Sequence, residues 1–281
     1  MSDDPEQTPR RPVPRRLFVG MVVAAGAAAT AAIIELVKPG PISAGLPTEP
    51  VAAATSVLPA TNAPAATPST APAVFDKAAF SIDDPTSIWF VVNKLRPIPD
   101  ATAFVPPGLL PIPASMLNPF GHKLRPETID ALAQMFTAAQ TQIGVTLVAQ
   151  SGYRSFQSQT DAYASYVDSL GTAAADATSA RPGYSEHQTG FAIDILDTIS
   201  GCGTDGDCLG NTPTGRWLAN NAYLYGFLLR YQNGQTEITG YEYEPWHFRF
   251  IGTNLATHLH TIGIATLEEF FGLPAAPSYA T

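Results

Sequence analysis

Two histidines and two carboxylates stand at spacings that could build a hydrolytic metal centre. His187 and Asp194 are seven apart in Ser185-Glu186-His187-Gln188-Thr189-Gly190-Phe191-Ala192-Ile193-Asp194, and Glu244 precedes His247 by three in Glu244-Pro245-Trp246-His247. His187, Asp194 and His247 would supply three N/O ligands to one zinc ion. A fourth position is left for water, and Glu244 is a base within reach. The flanks Phe191, Ile193, Ile195, Trp246, Phe248 and Phe250 are apolar. Polar ligands in such runs point to strand-borne groups at the floor of a dry cleft.

Convergence makes demands on the backbone. His187 must sit at a bend, Gly190 must allow the turn, and Asp194 must lie on a strand. There Asp194 shares a face with Ala192 and Leu196, while Phe191, Ile193 and Ile195 point the other way. A buried Asp194 needs a partner in any case. Glu244 could take a proton from water and pass it to a leaving amine. Alone it would be an exposed acid near Glu242; its spacing to His247 overrides that. Arg154, in Gly152-Tyr153-Arg154-Ser155, could steady an oxyanion or clamp a substrate carboxylate, and a surface salt bridge fits the spacing equally. Ser185 could bond a substrate carboxylate, though a lone serine is more often a turn residue. Tyr153, Tyr184 and Trp246 are candidates for the cleft wall. His122, His258 and His260 carry no comparable context.

The elements that must position these groups are short. Strands are predicted at Ser87 to Val92, Val145 to Ala149, Thr189 to Leu196, Phe227 to Tyr231 and His247 to Ile251. Helices are predicted from Pro126 to about Gln142, Ser155 to about Leu170, Thr214 to Tyr225, Thr253 to Ile262 and Thr266 to Phe271. The irregular alternation predicts an α+β fold, a small antiparallel sheet with helices packed on it.

This domain is expected over residues 75–281, where nearly all the aromatics lie. Before it, residues 39–74 are mostly Pro, Ala, Thr and Ser and read as a disordered spacer. Residues 1–38 read as a signal or membrane anchor. Arg10, Arg11, Arg15 and Arg16 precede an apolar run from Leu17 to Val37, long enough as a helix to span about 30 Å. The one-sided arginines predict an outward-facing domain. Arg15-Arg16-Leu17-Phe18-Val19 resembles a twin-arginine export signal, with Pro14 and Gly20 departing from the usual pattern. An uncleaved anchor, which would tether the chain to the membrane, fits as well.

The net charge of −9 falls on the domain. Residues 1–74 hold five of the 15 basic and five of the 24 acidic groups, leaving ten against nineteen. Such a domain repels nucleic acid and anionic lipid, so its substrate must be held by local groups. Cys202 and Cys208, in Gly-Cys-Gly-Thr-Asp-Gly-Asp-Cys, are expected to pair as a disulfide in an oxidising compartment. So short a loop is worth about 2 kcal/mol by chain entropy. Thiolate metal ligation and a calcium loop at Asp205 and Asp207 are the weaker alternatives.

Four motifs in order resemble the VanY-like D-alanyl-D-alanine carboxypeptidases, zinc metallopeptidases of the bacterial cell wall. They are Ser151-Gly152-Tyr153-Arg154-Ser155, Ser185 to Gly190 with Asp194, Tyr225-Gly226-Phe227, and Glu244-Pro245-Trp246-His247-Phe248-Arg249. The resemblance covers roughly Ser87 to Gly252. It implies zinc held by His187, Asp194 and His247, with Glu244 as base and Arg154 steadying the transition state. It also implies a fold shared with other zinc peptidases and with hedgehog-type signalling domains. The implied substrate is a peptidoglycan stem peptide ending in D-Ala-D-Ala. Two departures stand out: Phe156 replaces a frequent Tyr, and the Cys202–Cys208 loop falls where it could reshape the cleft rim. The same ligand set would serve a D,D-dipeptidase or an L,D-endopeptidase, and the fold could also carry a non-catalytic wall-binding domain.

Overall fold

The structure, a computed structural model, describes residues 75–280. The expected leader and spacer lie outside the described residues. Among the described residues no helix is long and apolar enough to cross a membrane.

The described residues open with an irregular apolar segment and a two-residue ribbon, β1 (Leu110–Pro111) and β2 (Lys123–Leu124). Helix α1 (Pro126–Ile143) follows. Proline at its start gives up an N–H that would be unpaired anyway, and Gly144 ends it in the left-handed conformation. Strand β3 (Leu147–Ser151) leads to α2 (Phe156–Leu170), capped by the Ser155 hydroxyl, and then to α3 (Thr172–Thr178). A 3-10 turn, Glu186–Thr189, feeds β4 (Ala192–Asp197). The remainder is α4 (Pro213–Asn221), β5 (Phe227–Leu229), α5 (Thr236–Thr239), β6 (His247–Phe250), α6 (Thr253–Ile262) and α7 (Leu267–Phe271).

The main sheet has the order β3-β4-β6-β5, antiparallel throughout. The α+β expectation therefore holds. One face of the sheet is apolar: Ile193, Ile195, Phe227, Phe248 and Phe250 pack with Leu132, Met135 and Phe136 of α1 and Trp217 and Leu218 of α4. Phe248 alone, fully buried, is worth roughly 1.5–3 kcal/mol of burial. The opposite face carries the polar residues. Register sets Asp194 directly across from His247, and Ala192 across from Arg249.

The predicted strand at Ser87 to Val92 is a correction. Those residues form a bend and a turn that run into irregular chain, and Trp89 and Val91 join a second core cluster with α6 and α7. The indole of Trp89 donates to the carbonyl of Ile251 at 2.9 Å. A short apolar run reports burial, and here burial comes without a ladder partner. Helix α3 was not predicted. Strand β4 also starts later than expected, because the Gly190 turn intervenes. Gly190 has φ 74°, and a Cβ there would stand 3.0 Å from Arg125 and Leu109 side-chain carbons, so both backbone and space require glycine.

Candidate metal centre

The two middle strands and the 3-10 turn bring the three proposed ligands together. Asp194 Oδ1 lies 3.3 Å from His187 Nε2 and 3.2 Å from His247 Nδ1. All three ligand atoms lie within 4.8 Å of one another, and all three residues are buried. His187 Nε2 and Asp194 Oδ1 are sealed from solvent yet have no hydrogen-bond partner. Orphaned polar atoms of this kind are costly unless something absent from the chain completes them. Tetrahedral ligands about 2.0–2.1 Å from zinc stand roughly 3.3 Å apart along each edge. The trio fits zinc on both counts.

Each histidine is fixed through its other nitrogen. His187 Nδ1 meets the Gly152 carbonyl at 2.7 Å, just past an irregularity in the β3–β4 ladder between Ala149 and Ser151. His247 Nε2 meets Glu186 Oε2 at 3.1 Å. These contacts hold a ring proton on each far nitrogen and turn Nε2 of His187 and Nδ1 of His247 toward one point, where a metal would replace any proton on them.

Glu186 belongs to a wholly buried charge network. Its Oε1 accepts from Arg230 Nε at 2.9 Å and from Arg249 Nη1 at 3.4 Å. Arg230 also forks onto Glu268 at 2.6 and 2.9 Å, and Glu268 accepts from Asn93 at 2.9 Å. Burial alone would raise the Glu186 carboxyl, but the two guanidiniums outweigh it and hold it well below the usual carboxylate range. Sequence reasoning quoted Glu186 without giving it a role. The available signal was Arg230 and Arg249, two arginines set in apolar strand runs, which imply a buried counter-charge.

Glu244 stands beside the trio, 8% exposed, with Oε2 3.7 Å from His247 Nδ1. Its backbone N–H is anchored on the Tyr231 carbonyl at 3.0 Å. Burial pushes its carboxyl up to about 8; His247 and Arg154 act against this, Asp194 and Glu186 with it. Burial lowers His187 to about 4, and Arg154 adds to the effect. Burial also disfavours the charged form of His247, but the neighbouring carboxylates of Asp194 and Glu186 overcome it and raise that imidazole to about 9. Burial works against the Asp194 carboxylate too, and the two imidazoles still hold it well below its ordinary value. A divalent ion in the trio would take the place of the His247 proton and favour the Glu244 anion.

Arg154 reaches the same cleft. Its N–H donates to the His187 carbonyl at 3.3 Å, and its Nε is buried without a partner. Ser185 is buried and lines the cleft with Tyr166, Tyr231, Tyr241 and Trp246, around a space of about 60 Å³. Tyr153 and Tyr184 are not on that wall; Tyr184 packs edge-on against Tyr279, 5.0 Å between ring centres. The structure contains the Cys202–Cys208 disulfide, with Cα atoms 5.7 Å apart. Its loop sends Thr204 to the rim of the cleft. Asp205 and Asp207 are exposed, and among the described residues the only cluster able to share an ion is the His187–Asp194–His247 trio. His122 bonds the Gln150 carbonyl, His258 stacks on Phe75 and His260 on Tyr223, and none of them joins the trio.

Residues 121–253 match the VanY family, D-alanyl-D-alanine carboxypeptidase. The YodJ protein of Bacillus subtilis (strain 168) is 39% identical over 196 residues, which is 68% of this chain and 69% of that protein. The chain belongs to the VanY family. Among solved structures, the LdcB LD-carboxypeptidase is 38% identical with a TM-score of 0.60, covering 67% of this chain and 87% of that one. A vancomycin-resistance D,D-pentapeptidase VanY variant, solved with Zn(II), is 32% identical with a TM-score of 0.54, covering 65% and 97%. As a VanY-family member the chain is a metallopeptidase of the cell-wall type, and its buried trio has the donor set for the family's zinc.

Proposed function

We propose that this protein is an exported zinc carboxypeptidase that removes the terminal D-alanine from peptidoglycan stem peptides. The observation that carries the proposal is the buried trio with two orphaned ligand atoms, flanked by Glu244 and Arg154 in one cleft. His187, Asp194 and His247 would hold the zinc. When bound, zinc polarises the scissile carbonyl and makes water a nucleophile near neutral pH. Glu244 accepts the proton of the attacking water and delivers it to the departing D-alanine nitrogen. Arg154, with an unpartnered Nε, faces the developing oxyanion or the substrate carboxylate, and Ser185 adds a hydroxyl on the same wall. Buried aromatic walls exclude bulk water and strengthen these charges.

The leader and spacer support export. Arg15-Arg16 ahead of Leu17 to Val37 would deliver or anchor the domain outside the cytoplasm, and residues 39–74 would carry it into the wall. The Cys202–Cys208 bond suits such a compartment.

A second reading has a specific basis, since the LdcB LD-carboxypeptidase is the more similar of the two solved relatives. It keeps the same groups and shifts the cut to a D-alanine joined to an L-centre. Mass spectrometry of products from a stem pentapeptide and a stem tetrapeptide separates the two. Loss of one alanine from the pentapeptide alone, stopped by a chelator and restored by zinc, is expected. Loss from the tetrapeptide alone would transfer the assignment to L,D cleavage. Release of a dipeptide or an internal cut would overturn both.

A further inference from the structure

One residue of the cleft wall is tied to a group outside the cleft. Tyr241 is buried and lines the cleft, and its hydroxyl stands 3.2 Å from that of Tyr279, which does not line it. Tyr279 belongs to the segment after α7, and that segment runs back against the residues before Tyr241. The Ala276 N–H donates to the Ile238 carbonyl at 2.8 Å. A Cβ on Gly240 would collide with the Ala276 carbonyl and the Lys94 side chain, and Gly240 has φ 82°. Both the backbone and the passing segment therefore require glycine directly before Tyr241.

Two cations hold the Tyr279 ring. The guanidinium carbon of Arg181 lies 4.3 Å from its centre and Lys94 Nζ 5.4 Å; Lys94 Nζ is also 4.5 Å from the centre of the Tyr241 ring. Lys94 is buried, and it donates to the Gly240 carbonyl. The two phenol rings are thus packed on one buried ammonium.

Proton accounting gives the pair of hydroxyls a direction. The Tyr279 oxygen accepts the Arg181 backbone N–H at 2.8 Å. An N–H only donates, so among the described residues the Tyr279 proton has one acceptor, the Tyr241 oxygen. The opposite direction would leave the Tyr279 proton without an acceptor in a mostly buried place, which is costly. With Tyr279 donating, the Tyr241 proton has no acceptor among the described residues and is left for the cleft.

We propose that Tyr279 is a positioning residue for the metal cleft: it fixes Tyr241 and turns the Tyr241 O–H toward the substrate, as a donor to a peptide oxygen. The proposal rests on the carboxypeptidase reading above and adds a donor together with the residue that aims it. The chain of donors runs one way. The Arg181 N–H donates to Tyr279, the Tyr279 O–H to Tyr241, and the Tyr241 O–H to a carbonyl or carboxylate oxygen in the cleft. Each donation strengthens the next.

The test is a double-mutant cycle on the zinc-loaded protein with a stem pentapeptide. Tyr241→Phe removes the donor and should raise KM about three- to tenfold, the size of one net hydrogen bond. Tyr279→Phe leaves the donor in place but unaimed, and should raise KM about two- to threefold. In both, kcat and zinc content should stay near wild type, as loss of uniform binding requires. In the Tyr241→Phe background, Tyr279→Phe should change KM no further, because it acts through Tyr241. Tyr279→Leu also loses the ring packed on Lys94 and Arg181; it should match Tyr279→Phe in KM and fall below it in unfolding midpoint. Wild-type KM in either phenylalanine variant, or a Tyr279→Phe effect that persists without the Tyr241 hydroxyl, would overturn the proposal. No turnover by the wild type would count against the carboxypeptidase reading instead. Crystal structures of the wild type and Tyr279→Phe then decide the positioning role: a displaced or doubled Tyr241 ring supports it, an unmoved ring ends it.

Discussion

Replacing Glu186 by glutamine changes one atom's chemistry and none of the shape, and the structure says which way the amide must face. Glu186 Oε1 accepts from Arg230 at 2.9 Å and Arg249 at 3.4 Å, and both guanidiniums only donate. The glutamine oxygen must therefore take that side. Its NH2 then faces His247 Nε2, where Oε2 now stands at 3.1 Å. A donor there makes Nε2 the acceptor and moves the imidazole proton to Nδ1, the atom needed by the metal. Loss of an outer-shell partner costs roughly 10–100-fold in metal affinity, or about 1.4–2.8 kcal/mol. The forced wrong tautomer places Glu186→Gln at the upper end. The change also leaves buried Arg249 without its carboxylate and Arg230 with Glu268 alone, at about 3–5 kcal/mol of folding stability.

Glu268→Gln separates the two effects. It removes a buried carboxylate from the same Arg230, paired at 2.6 and 2.9 Å, but does not touch His247. Zinc affinity is measured by competition with a chromophoric chelator, and stability by urea unfolding of the metal-free proteins. Both variants should be destabilised, while only Glu186→Gln loses zinc. Equal loss of zinc in both variants, or wild-type affinity in Glu186→Gln, would refute the tautomer argument.

Glu244→Ala should keep zinc and lose at least about 10²-fold in turnover, the usual contribution of a positioned acid–base group, whereas His187→Ala should lose metal and activity; near-normal turnover in Glu244→Ala would sink the proposed base. Binding of zinc at pH 7 should release between one and two protons, because His247 is raised to about 9 and Glu244 to about 8 in the metal-free site while His187, lowered to about 4, has none to give; calorimetry in buffers of different ionisation heat counts them, and no release would contradict the assignment. Raised folded pKa values also mean that the metal-free protein gains stability below the ordinary His and Glu values and loses it as pH climbs through about 8 and 9. Unfolding midpoints that stay flat over that climb would contradict this. Reducing Cys202–Cys208 should cost about 2 kcal/mol of stability and leave zinc bound, measured by unfolding and metal analysis; zinc loss on mild reduction would mean the loop supports the ligands directly.

Much of the fold was legible because its determinants are local. Pro126 and Gly144 bracket α1, Ser155 and Gly171 bracket α2, and the alternation of β4 assigns Asp194 to one face and Ile193 and Ile195 to the other. The failures share a cause. Ser87 to Val92 has the composition of a strand, yet its neighbours are side chains of α6 and α7, so it is buried without pairing. Nothing within six residues reveals whether a ladder partner exists elsewhere.

The site divides along the same line. His187, Asp194 and His247 could be named from spacing, since a ligand set is a short-range pattern repeated at two places. Their mutual placement is a matter of register: Asp194 faces His247 only because β4 and β6 pair at that offset, and a slip of one residue would turn Asp194 into the phenylalanine-lined core. The phenylalanines prevent that slip. Phe248 and Phe250 would face the polar side if the strand moved, so the hydrophobic pattern of β6 holds the proposed ligands in register from the opposite face. Glu186 was hidden for the converse reason. Its partners, Arg230, Arg249 and His247, lie 44, 63 and 61 residues away, and its function exists only as a long-range charge balance. The arginines in apolar strands were its one trace: a guanidinium that cannot reach water requires a carboxylate, and the carboxylate it finds here is the one that faces the ring nitrogen of His247, a proposed ligand.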